Sequence, residues 1–359
     1  MRKVAVIIPT FNCESHLGEA LESVFSQTYS NFDIWVVNDG STDGTATLLR
    51  KFAHRVTVLS HQPARGPAAA RNLAIRALPP DCEYIAFLDA DDIWSPPKLA
   101  MQVDFLEGHS AIGLVNTDFS CFSSDRPPEK SSIRSYCAMY RCTGWDFSDV
   151  YPEKVEFNFG DVTIAAHCGW IFDKMLYGYG TLTSTIMIRK TCLETVGLFD
   201  ERFWIAEDYD LYCRIAKTYP ISYLDIVTTR KRRHANQLCA QPGTGLALAE
   251  SWRRIVVRHW QQDTETYRQW KPTVDKRLAE LDYSMGLQHR EGGDVLRARR
   301  CFLQSIHEDW SRPTVMLYYL ETCLPSAGAG MAKILFKALR HICRYWKYHF
   351  RALTQSFRS

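Results

Sequence analysis

Two aspartates stand two residues apart in Asp89-Ala90-Asp91, directly after an apolar run at residues 84–88 that predicts a buried strand. Carboxylates at the end of a buried strand are costly unless a cation or hydrogen bonds compensate their charge. Mg²⁺ or Mn²⁺ does so with few protein carboxylates, because water and phosphate oxygens complete its coordination shell. The tripeptide therefore predicts a divalent-metal site for a phosphorylated ligand, although Asp-x-Asp also occurs in many ordinary loops.

A second acidic pair, Glu207-Asp208, begins a segment whose Leu211 and Ile215 lie one helical turn apart. Acidic side chains in the first turn of a helix interact favourably with the helix dipole, so a purely structural role is one interpretation. A carboxylate at such a position is also a candidate general base, which takes a proton from an attacking hydroxyl. Taken without the rest of the chain, the pair favours the structural role.

The elements that position these residues are predicted from the first ninety residues, in which apolar runs alternate with helical patterns. The predicted strands are residues 4–8, 34–37, 56–59 and 84–88. The helices between them include residues 44–52 and 67–77. This alternation predicts an α/β fold with a mostly parallel central sheet and helices on both faces.

A polar cluster follows three of these strands, at residues 9–12, 38–43 and 89–92. In an open α/β sheet the ligand crevice lies beyond the carboxyl ends of the strands, so we expect the clusters to converge. A single cluster of Asn, Asp, Gly and Ser is more typical of a surface turn. Three clusters in register predict a common binding cleft.

Four sequence motifs occur in a specific order and at a specific spacing in this part of the chain: residues 7–12 (IIPTFN), 37–45 (VNDGSTDGT), 66–72 (GPAAARN) and 87–92 (FLDADD). Together they resemble the motifs of family 2 glycosyltransferases. Residues 197–200 and 207–211, with Arg214, resemble a later motif of the same family. The resemblance covers about residues 4–235 and implies an inverting enzyme with the Rossmann-like GT-A fold.

The resemblance implies a nucleotide-sugar site at the first two motifs. Pro9, Thr10 and Asn12 would line the nucleoside slot. Asp39 is similar to the carboxylate that accepts a hydrogen bond from the imide N–H of uracil. The implied donor is a nucleotide-diphosphate sugar, and Asp39 favours a UDP-sugar.

Phosphate, ribose and metal contacts are implied further along the chain. Arg71 would help to neutralise phosphate, as a fixed cation does well, and Asp89, with Ala90 beside it, is similar to the residue that bonds ribose. Asp91 is similar to the ligand of Mn²⁺ or Mg²⁺, which stabilises charge on the departing nucleotide. His234 resembles a further metal or phosphate ligand, and a solvated basic loop at residues 230–234 is the alternative interpretation.

Inversion in one displacement requires a base on the acceptor side, and Asp208 matches it, with Glu207 holding or orienting the acceptor. The predicted reaction transfers a sugar to a glycan or lipid-linked oligosaccharide in surface polysaccharide synthesis. A nucleotidyltransferase acting on sugar phosphates is one alternative, but it typically has a glycine-rich phosphate loop that residues 9–13 do not form. A catalytically inactive glycan-binding or nucleotide-binding protein is another, for which loss of Asp91 or Asp208 would be expected.

The remaining sequence predicts the domain boundaries. Residues 1–240 are predicted as the catalytic domain, residues 241–325 as a helical bundle, and residues 326–359 as a basic amphipathic tail. Basic and apolar residues alternate in the tail, which is typical of a helix on an anionic membrane surface or of a solvated helix docked on the bundle. Residues 95–180, rich in aromatic residues and without clear periodicity, predict core packing or a sugar-binding surface.

Composition excludes several classes of protein. A net charge of +3 gives no reason to expect a nucleic-acid partner. No apolar run approaches the roughly 20 residues of a membrane-spanning helix, so we expect a cytoplasmic protein, with peripheral contact to the inner face of the cell membrane through the tail. The 12 cysteines are scattered and are expected to be reduced thiols.

Overall fold

The computed structural model describes residues 1–123, 133–309 and 311–323. The chain divides into two compact units, of which the first is Met1–Ala240 and the second begins at Gln241. The predicted basic tail lies outside the described residues. Among the helices that the structure describes, none is both long and apolar enough to cross a lipid bilayer.

A mixed ten-stranded sheet forms the centre of the first unit as far as its residues are described. Its strands are β1 (Lys3–Thr10), β2 (Phe32–Asp39), β3 (Thr57–His61), β4 (Cys82–Phe87), β5 (Ile93–Trp94), β6 (Leu114–Phe122), β7 (Glu153–Phe159), β8 (Val162–Gly169), β9 (Met187–Arg189) and β10 (Ile221–Arg232). Their order in space is β3-β2-β1-β4-β9-β6-β10-β8-β7, and β5 pairs with β10.

Strand direction divides this sheet into two parts. Strands β3, β2, β1 and β4 are parallel to one another, as are β6 and β10. Strand β9 is antiparallel to both β4 and β6, and β8 is antiparallel to β10 and β7. The parallel part brings the carboxyl ends of β1, β2 and β4 to one edge, where the three polar clusters follow.

Helices connect the strands of the first unit and make up most of the second. In the first unit they are α1 (Leu17–Phe25), α2 (Thr45–Phe52), α3 (Pro67–Ala77), α4 (Lys98–Gly108), α5 (Ile133–Tyr136), α6 (Ala138–Thr143), α7 (Phe147–Val150), α8 (Lys190–Val196) and α9 (Glu207–Thr218), with 3₁₀ turns at Lys174–Tyr177, Thr183–Thr185 and Leu238–Ala240. In the second they are α10 (Thr244–Val256), α11 (Thr264–Glu291), α12 (Val295–Glu308) and α13 (Pro313–Cys323), with a π-helical turn at Val257–Gln261.

The hydrophobic pattern explains why these elements form. Leu17, Leu21 and Val24 recur at helical spacing and are fully buried against the core, which includes Val6 and Ile8 of β1. Each such side chain contributes about 1.5–3 kcal/mol by leaving water. The predicted α/β fold, followed by an all-helical region, is confirmed, but the sheet is mixed: it is parallel in β3, β2, β1 and β4, the part predicted from the first ninety residues, and antiparallel pairings follow beyond β4.

Residues 95–180 contain more regular structure than their sequence suggested, namely α4 and strands β6, β7 and β8. Eight of the nine residues of β6 are buried, yet Asn116, Thr117, Asp118 and Ser120 lie among them. Polar residues inside a buried strand hide both the apolar run and the alternation by which a strand is recognised. Strand β6 is instead defined by its backbone hydrogen bonds to β9 and β10 on either side.

The prediction of a basic loop at residues 230–234 is wrong for its first three residues, which form the end of β10. They pair with residues 120–122 of β6, and Arg230 also pairs with Ile93 of β5. The guanidinium groups of Arg230 and Arg232 lie over the ring of Phe122, at 4.4 and 4.6 Å from its centre. Cation–π contacts of this kind are attractive and stabilise the position of these two side chains against the ring.

The second unit has a small core of its own. Ala298 and Phe302 of α12 pack with Val315 of α13, and all three are buried. Gly286 of α11 allows the close approach of Phe302, because a Cβ there would lie 2.5 Å from its ring. Helix α11 is 28 residues long and contains Pro272. In both units the cysteines whose side chains the structure describes are free thiols.

Candidate active site

The ends of β1 and β2 are joined through Asn12. Thr10 is in register with Asn38 on the neighbouring strand, so the chain leaves both strands at the same level. Asn12 has a left-handed backbone with φ of 50°, and its amide donates to Ser41 Oγ at 3.0 Å. Its side-chain oxygen accepts from the amide of Thr42 at 2.8 Å. The first two predicted polar clusters therefore form one continuous surface, with Thr10 buried and Pro9 half-buried beside it.

Asp39, at the end of β2, is only 4% exposed and is held by three protein donors. Its carboxylate accepts from the amides of Arg65 and Gly66, the latter at 2.7 Å, and lies 2.8 Å from Nδ1 of His61. Gly66 precedes α3 with φ of 91°, a conformation that glycine adopts most readily. Three donors leave room for about one more on a carboxylate. Asp39 thus shapes the loop between β3 and α3.

Arg71 of α3 joins the acidic residues of two distant segments. Its Nη1 lies 2.5 Å from Glu207 Oε1, and its Nη2 lies 3.0 Å from Asp89 Oδ1. Burial acts against the charged guanidinium, but the carboxylates of Glu207, Asp89 and Asp208 outweigh it and raise the pKa of Arg71. The end of β4 and the start of α9 are therefore held together by a buried cation.

The second acidic pair begins α9 directly after Ala206, whose φ of 64° turns the chain into the helix. Oδ2 of Asp208 accepts hydrogen bonds from the hydroxyls of Thr183 at 2.8 Å and Tyr179 at 3.2 Å. Burial raises the pKa of Asp208, against the lowering effect of the Arg71 cation. Burial also raises the pKa of Glu207 to about 7, with Arg71 again acting in the opposite direction.

The loop after β4 contains a third aspartate, Asp92, to which the sequence analysis assigned no role of its own. Asp92 is fully buried and accepts from Ser184 Oγ at 2.7 Å and from the amide of Arg232 at 3.1 Å. Burial raises its pKa to about 7, while the Lys231 cation lowers it. Ala90, between Asp89 and Asp91, is also buried. The only sequence signal for Asp92 is its place in the run Asp89–Asp92.

Asp91 and His234, the two predicted metal ligands, lie together. Oδ2 of Asp91 is 2.9 Å from Nε2 of His234, and the ring of His16 lies 4.7 Å from that of His234. Arg232 donates to the backbone oxygen of Asp91 at 3.1 Å. Burial, together with the Arg232 cation, lowers the pKa of His16.

The donor set of Asp91 and His234 fits a hard divalent ion that takes few protein ligands. A carboxylate oxygen and an imidazole nitrogen are both suited to Mn²⁺. Within the described residues no group of three or more such ligands is arranged to hold a metal. Two protein ligands leave most of the coordination shell for diphosphate oxygens and water, as is usual for ions that bind together with a nucleotide.

Three further residues of this site were not predicted: Thr183, Ser184 and Tyr179. Their hydroxyls contact the acidic residues of α9 and of the loop after β4. In the sequence they stand in an ordinary hydroxyl-rich stretch, and only the tertiary packing reveals their partners. The structure brings Asp89, Arg71, Glu207 and Asp208 into one network, and the contacts of the other predicted residues with nucleotide stay predictions.

Comparison with known sequences supports a single family. The family model described as Glycosyl transferase family 2 matches residues 5–178. The Escherichia coli protein named UDP-Glc:alpha-D-GlcNAc-diphosphoundecaprenol beta-1,3-glucosyltransferase WfaP is 37% identical over 242 residues, which are 67% of this chain and 81% of WfaP. The E. coli protein WfgD, with the same activity in its name, is 28% identical over 223 residues, 62% of this chain and 73% of WfgD.

In other relatives, the segment that matches this chain is only part of the protein. An uncharacterised glycosyltransferase of Rickettsia prowazekii is 26% identical over 234 residues, and the match spans 65% of each chain. A Rickettsia bellii relative is 41% identical over 112 residues, which are 31% of this chain and only 16% of that protein. The chain thus spans less than two thirds of the length of these relatives.

Solved structures with the same fold include two complexes with nucleotide sugars. S. aureus TarS in complex with UDP-GlcNAc superposes with a TM-score of 0.58 at 17% identity, covering 94% of this chain and 92% of TarS. The mannosyltransferase PcManGT from Pyrobaculum calidifontis, in complex with GDP-Man and Mn²⁺, superposes with a TM-score of 0.53 at 20% identity, covering 99% and 87%. At these identities the likeness shows the fold, and it confirms the predicted GT-A arrangement.

Proposed function

This chain belongs to glycosyl transferase family 2, and from that premise we propose that it transfers a sugar, with inversion, from a UDP-sugar to a lipid-linked saccharide. The observation that carries the proposal is the position of Arg71, bonded to Asp89 at 3.0 Å and to Glu207 at 2.5 Å. This ion-pair network joins the predicted donor side of the site to the predicted acceptor side. The names of WfaP and WfgD favour UDP-glucose and a diphosphoundecaprenol-linked acceptor of surface polysaccharide synthesis.

On the donor side, we assign the nucleoside to the surface formed by Pro9, Thr10, Asn12 and Asp39. The carboxylate of Asp39 retains about one acceptor position beyond its three protein donors, which suits a single imide N–H. Asp89 would bind the ribose, and Arg71 beside it supplies a fixed positive charge close to the phosphates. The UDP-GlcNAc bound by TarS, which shares this fold, supports a uridine nucleotide.

On the leaving-group side, we assign Asp91 and His234 as the residues that hold Mn²⁺ or Mg²⁺. When bound, such an ion neutralises charge on the departing diphosphate as a Lewis acid. Arg232, bonded to the backbone of Asp91, adds a cation to the same region. The Mn²⁺ that accompanies GDP-Man in PcManGT supports a metal in this fold.

On the acceptor side, Asp208 would act as the general base. As the acceptor oxygen attacks the anomeric carbon, its proton passes to the Asp208 carboxylate, and the bond from that carbon to the diphosphate oxygen breaks on the opposite face. Burial raises the pKa of Asp208, which makes the carboxylate a stronger base than a solvated aspartate. Glu207, fixed by Arg71, would orient the acceptor.

A lipid-linked acceptor would place the working protein at a membrane surface. The basic tail, outside the described residues, is the segment that we assign to this contact, because its cations suit anionic lipid. We expect a cytoplasmic protein whose membrane contact is peripheral.

The test is a transfer assay with the purified chain, a synthetic GlcNAc-diphospholipid and UDP-, GDP- or dTDP-sugars, with and without Mn²⁺. We expect metal-dependent transfer from one UDP-sugar, with the anomeric configuration of the product inverted relative to the donor by NMR. Asp208→Asn should retain UDP binding and lose transfer. Retention of configuration, or full transfer by Asp208→Asn, would contradict the proposal.

A further inference from the structure

Two neighbouring hydroxyls on one turn reach carboxyl groups on the two sides of the site. In the 3₁₀ turn Thr183–Thr185, Thr183 Oγ1 donates to Asp208 Oδ2 at 2.8 Å. The next residue, Ser184, donates through Oγ to Asp92 Oδ2 at 2.7 Å, and the same oxygen accepts from the amide of Asp89 at 3.0 Å. One turn therefore contacts both the start of α9 and the loop after β4.

This turn is fixed in the core of the protein. Thr183, Ser184 and Thr185 are 3%, 0% and 0% exposed. The backbone oxygen of Ser184 accepts from Trp94 Nε1 at 2.7 Å and from Thr229 Oγ1 at 3.2 Å. Because buried hydrogen-bonded groups are costly to displace, the turn has little freedom to move.

We propose that Thr183 and Ser184 are positioning residues, which hold the base Asp208 and the acidic loop Asp89–Asp92 at a fixed separation. The inference rests on the proposed function of Asp208. Thr183 directs one oxygen of that carboxylate and, by donating to it, favours its charged form. Ser184 anchors the loop that carries Asp91, so its effect is expected on nucleotide and metal binding.

The charge state of Asp208 depends on every ionisable group that faces it. Arg71 approaches from α3, Glu207 adjoins it on α9, and Tyr179, Tyr212 and Cys137 contribute phenol and thiol groups. The phenols and the thiol keep their protons, because burial raises the pKa of each. Arg71 keeps its charge, so Glu207, with a pKa of about 7, is the neighbouring group whose charge can change together with that of Asp208, and its carboxyl signal is followed in the same titration.

The first test compares Thr183→Val with two matched variants. Thr183→Ser retains the hydroxyl, and Thr185→Val removes an equally buried hydroxyl whose bonds go to Leu182 O and Thr181. The pKa of Asp208 is read from the ¹³C signal of its carboxyl carbon in the full chain, assigned with Asp208→Asn. Loss of a hydrogen bond to a charged group should raise that pKa by about one unit in Thr183→Val. Thr183→Ser and Thr185→Val should leave it within about 0.3 units of the wild type.

The second test separates the two hydroxyls by function. In Thr183→Val the acidic limb of the kcat profile should move to higher pH by the same amount as the NMR pKa, with the Kd for UDP and Mn²⁺ unchanged. In Ser184→Ala that Kd should rise about tenfold, as for loss of a partner that orients metal ligands. The pKa of Asp208 should stay as in the wild type in Ser184→Ala.

The outcomes distinguish this inference from the proposed function. If the wild type transfers no sugar, the proposed function fails, while the ¹³C titration and the Kd still test the positioning roles. If the wild type is active and Thr183→Val shifts neither the NMR pKa nor the acidic limb, Thr183 is only a packing residue. If Ser184→Ala binds UDP and Mn²⁺ like the wild type, the role of Ser184 is overturned.

Discussion

Arg71 and Glu207 form a buried ion pair, with Nη1 and Oε1 2.5 Å apart and side chains 5% and 8% exposed. The same guanidinium also bonds Asp89, so one cation neutralises parts of two acidic segments. A buried charge without its partner is far more costly than an exposed one. The stability of the site therefore depends on Arg71, the residue that the sequence resemblance assigns to phosphate.

Replacing Arg71 by Met should destabilise the protein by about 3–5 kcal/mol, because it removes the cation from the buried Glu207 and from the half-buried Asp89. Urea denaturation followed by circular dichroism measures this loss. Arg65→Met is the matched control, since Arg65 pairs with Glu201 at the surface and should cost less than about 1 kcal/mol. Equal losses in the two variants would contradict the prediction.

Glu207 should make stability fall as pH rises from about 4.5 to about 7. Burial raises its pKa from the ordinary 4.5 to about 7, against the effect of Arg71, so in this window the folded state binds more protons than the unfolded state. The stabilisation is complete below pH 4.5 and is lost as pH passes 7. The unfolding free energy of the wild type minus that of Glu207→Gln should fall by roughly 1–3 kcal/mol between pH 5 and pH 8. A difference that stays constant would mean that Arg71 keeps Glu207 ionised throughout.

Gly66→Ala should be the most damaging of three glycine substitutions. Gly66 has φ of 91°, and a Cβ there would lie 2.9 Å from the ring of Trp204, so we expect a loss of about 2–3 kcal/mol. Gly144 has φ of 73° but open space around it, and Gly144→Ala should cost about 1 kcal/mol. At Gly18, in α1, an added Cβ would meet no atom within 4 Å, so Gly18→Ala should cause no loss of stability. Thermal unfolding ranks the three, and a different order would count against the backbone geometry assigned to Gly66.

Asp91→Ala and His234→Ala should each weaken Mn²⁺-dependent binding of UDP at least about tenfold, or ~1.4 kcal/mol. The reason is that these two side chains are the protein ligands that we assign to the ion. Isothermal titration of UDP with and without Mn²⁺ measures the effect, and His54→Ala, an exposed histidine at the end of α2, is the control. Unchanged metal dependence in both variants would remove these residues from the metal site.

Much of the fold could be predicted because its first half follows simple rules. Buried parallel strands such as β1 appear in the sequence as apolar runs, and helix α3 has Pro67 at its start and the left-handed Gly66 just before it. The same regularity places Asp39 at the end of β2 and Asp91 in the loop after β4, at the same edge of the sheet. Local pattern and tertiary structure agree in this part of the chain.

The remaining features depend on contacts that no local pattern contains. Lys231 looks like part of a solvated basic loop in sequence, yet it is a buried strand residue whose cation faces the Asp92 carboxylate. Asp92 itself is indistinguishable from its neighbours until Ser184, 92 positions later, is seen beside it. Their roles are set by partners that are distant in the chain.

The loop around Asp39 is held by hydrogen bonds within the protein. The backbone amides of Arg65 and Gly66 donate to the carboxylate of Asp39. These hydrogen bonds order the loop between β3 and α3. At the nucleotide site that we propose around Asp39, association would therefore cost little loop entropy, so that more of the interaction energy would appear as affinity. We therefore expect nucleotide association at that proposed site to require no rearrangement of this loop, which would otherwise slow it.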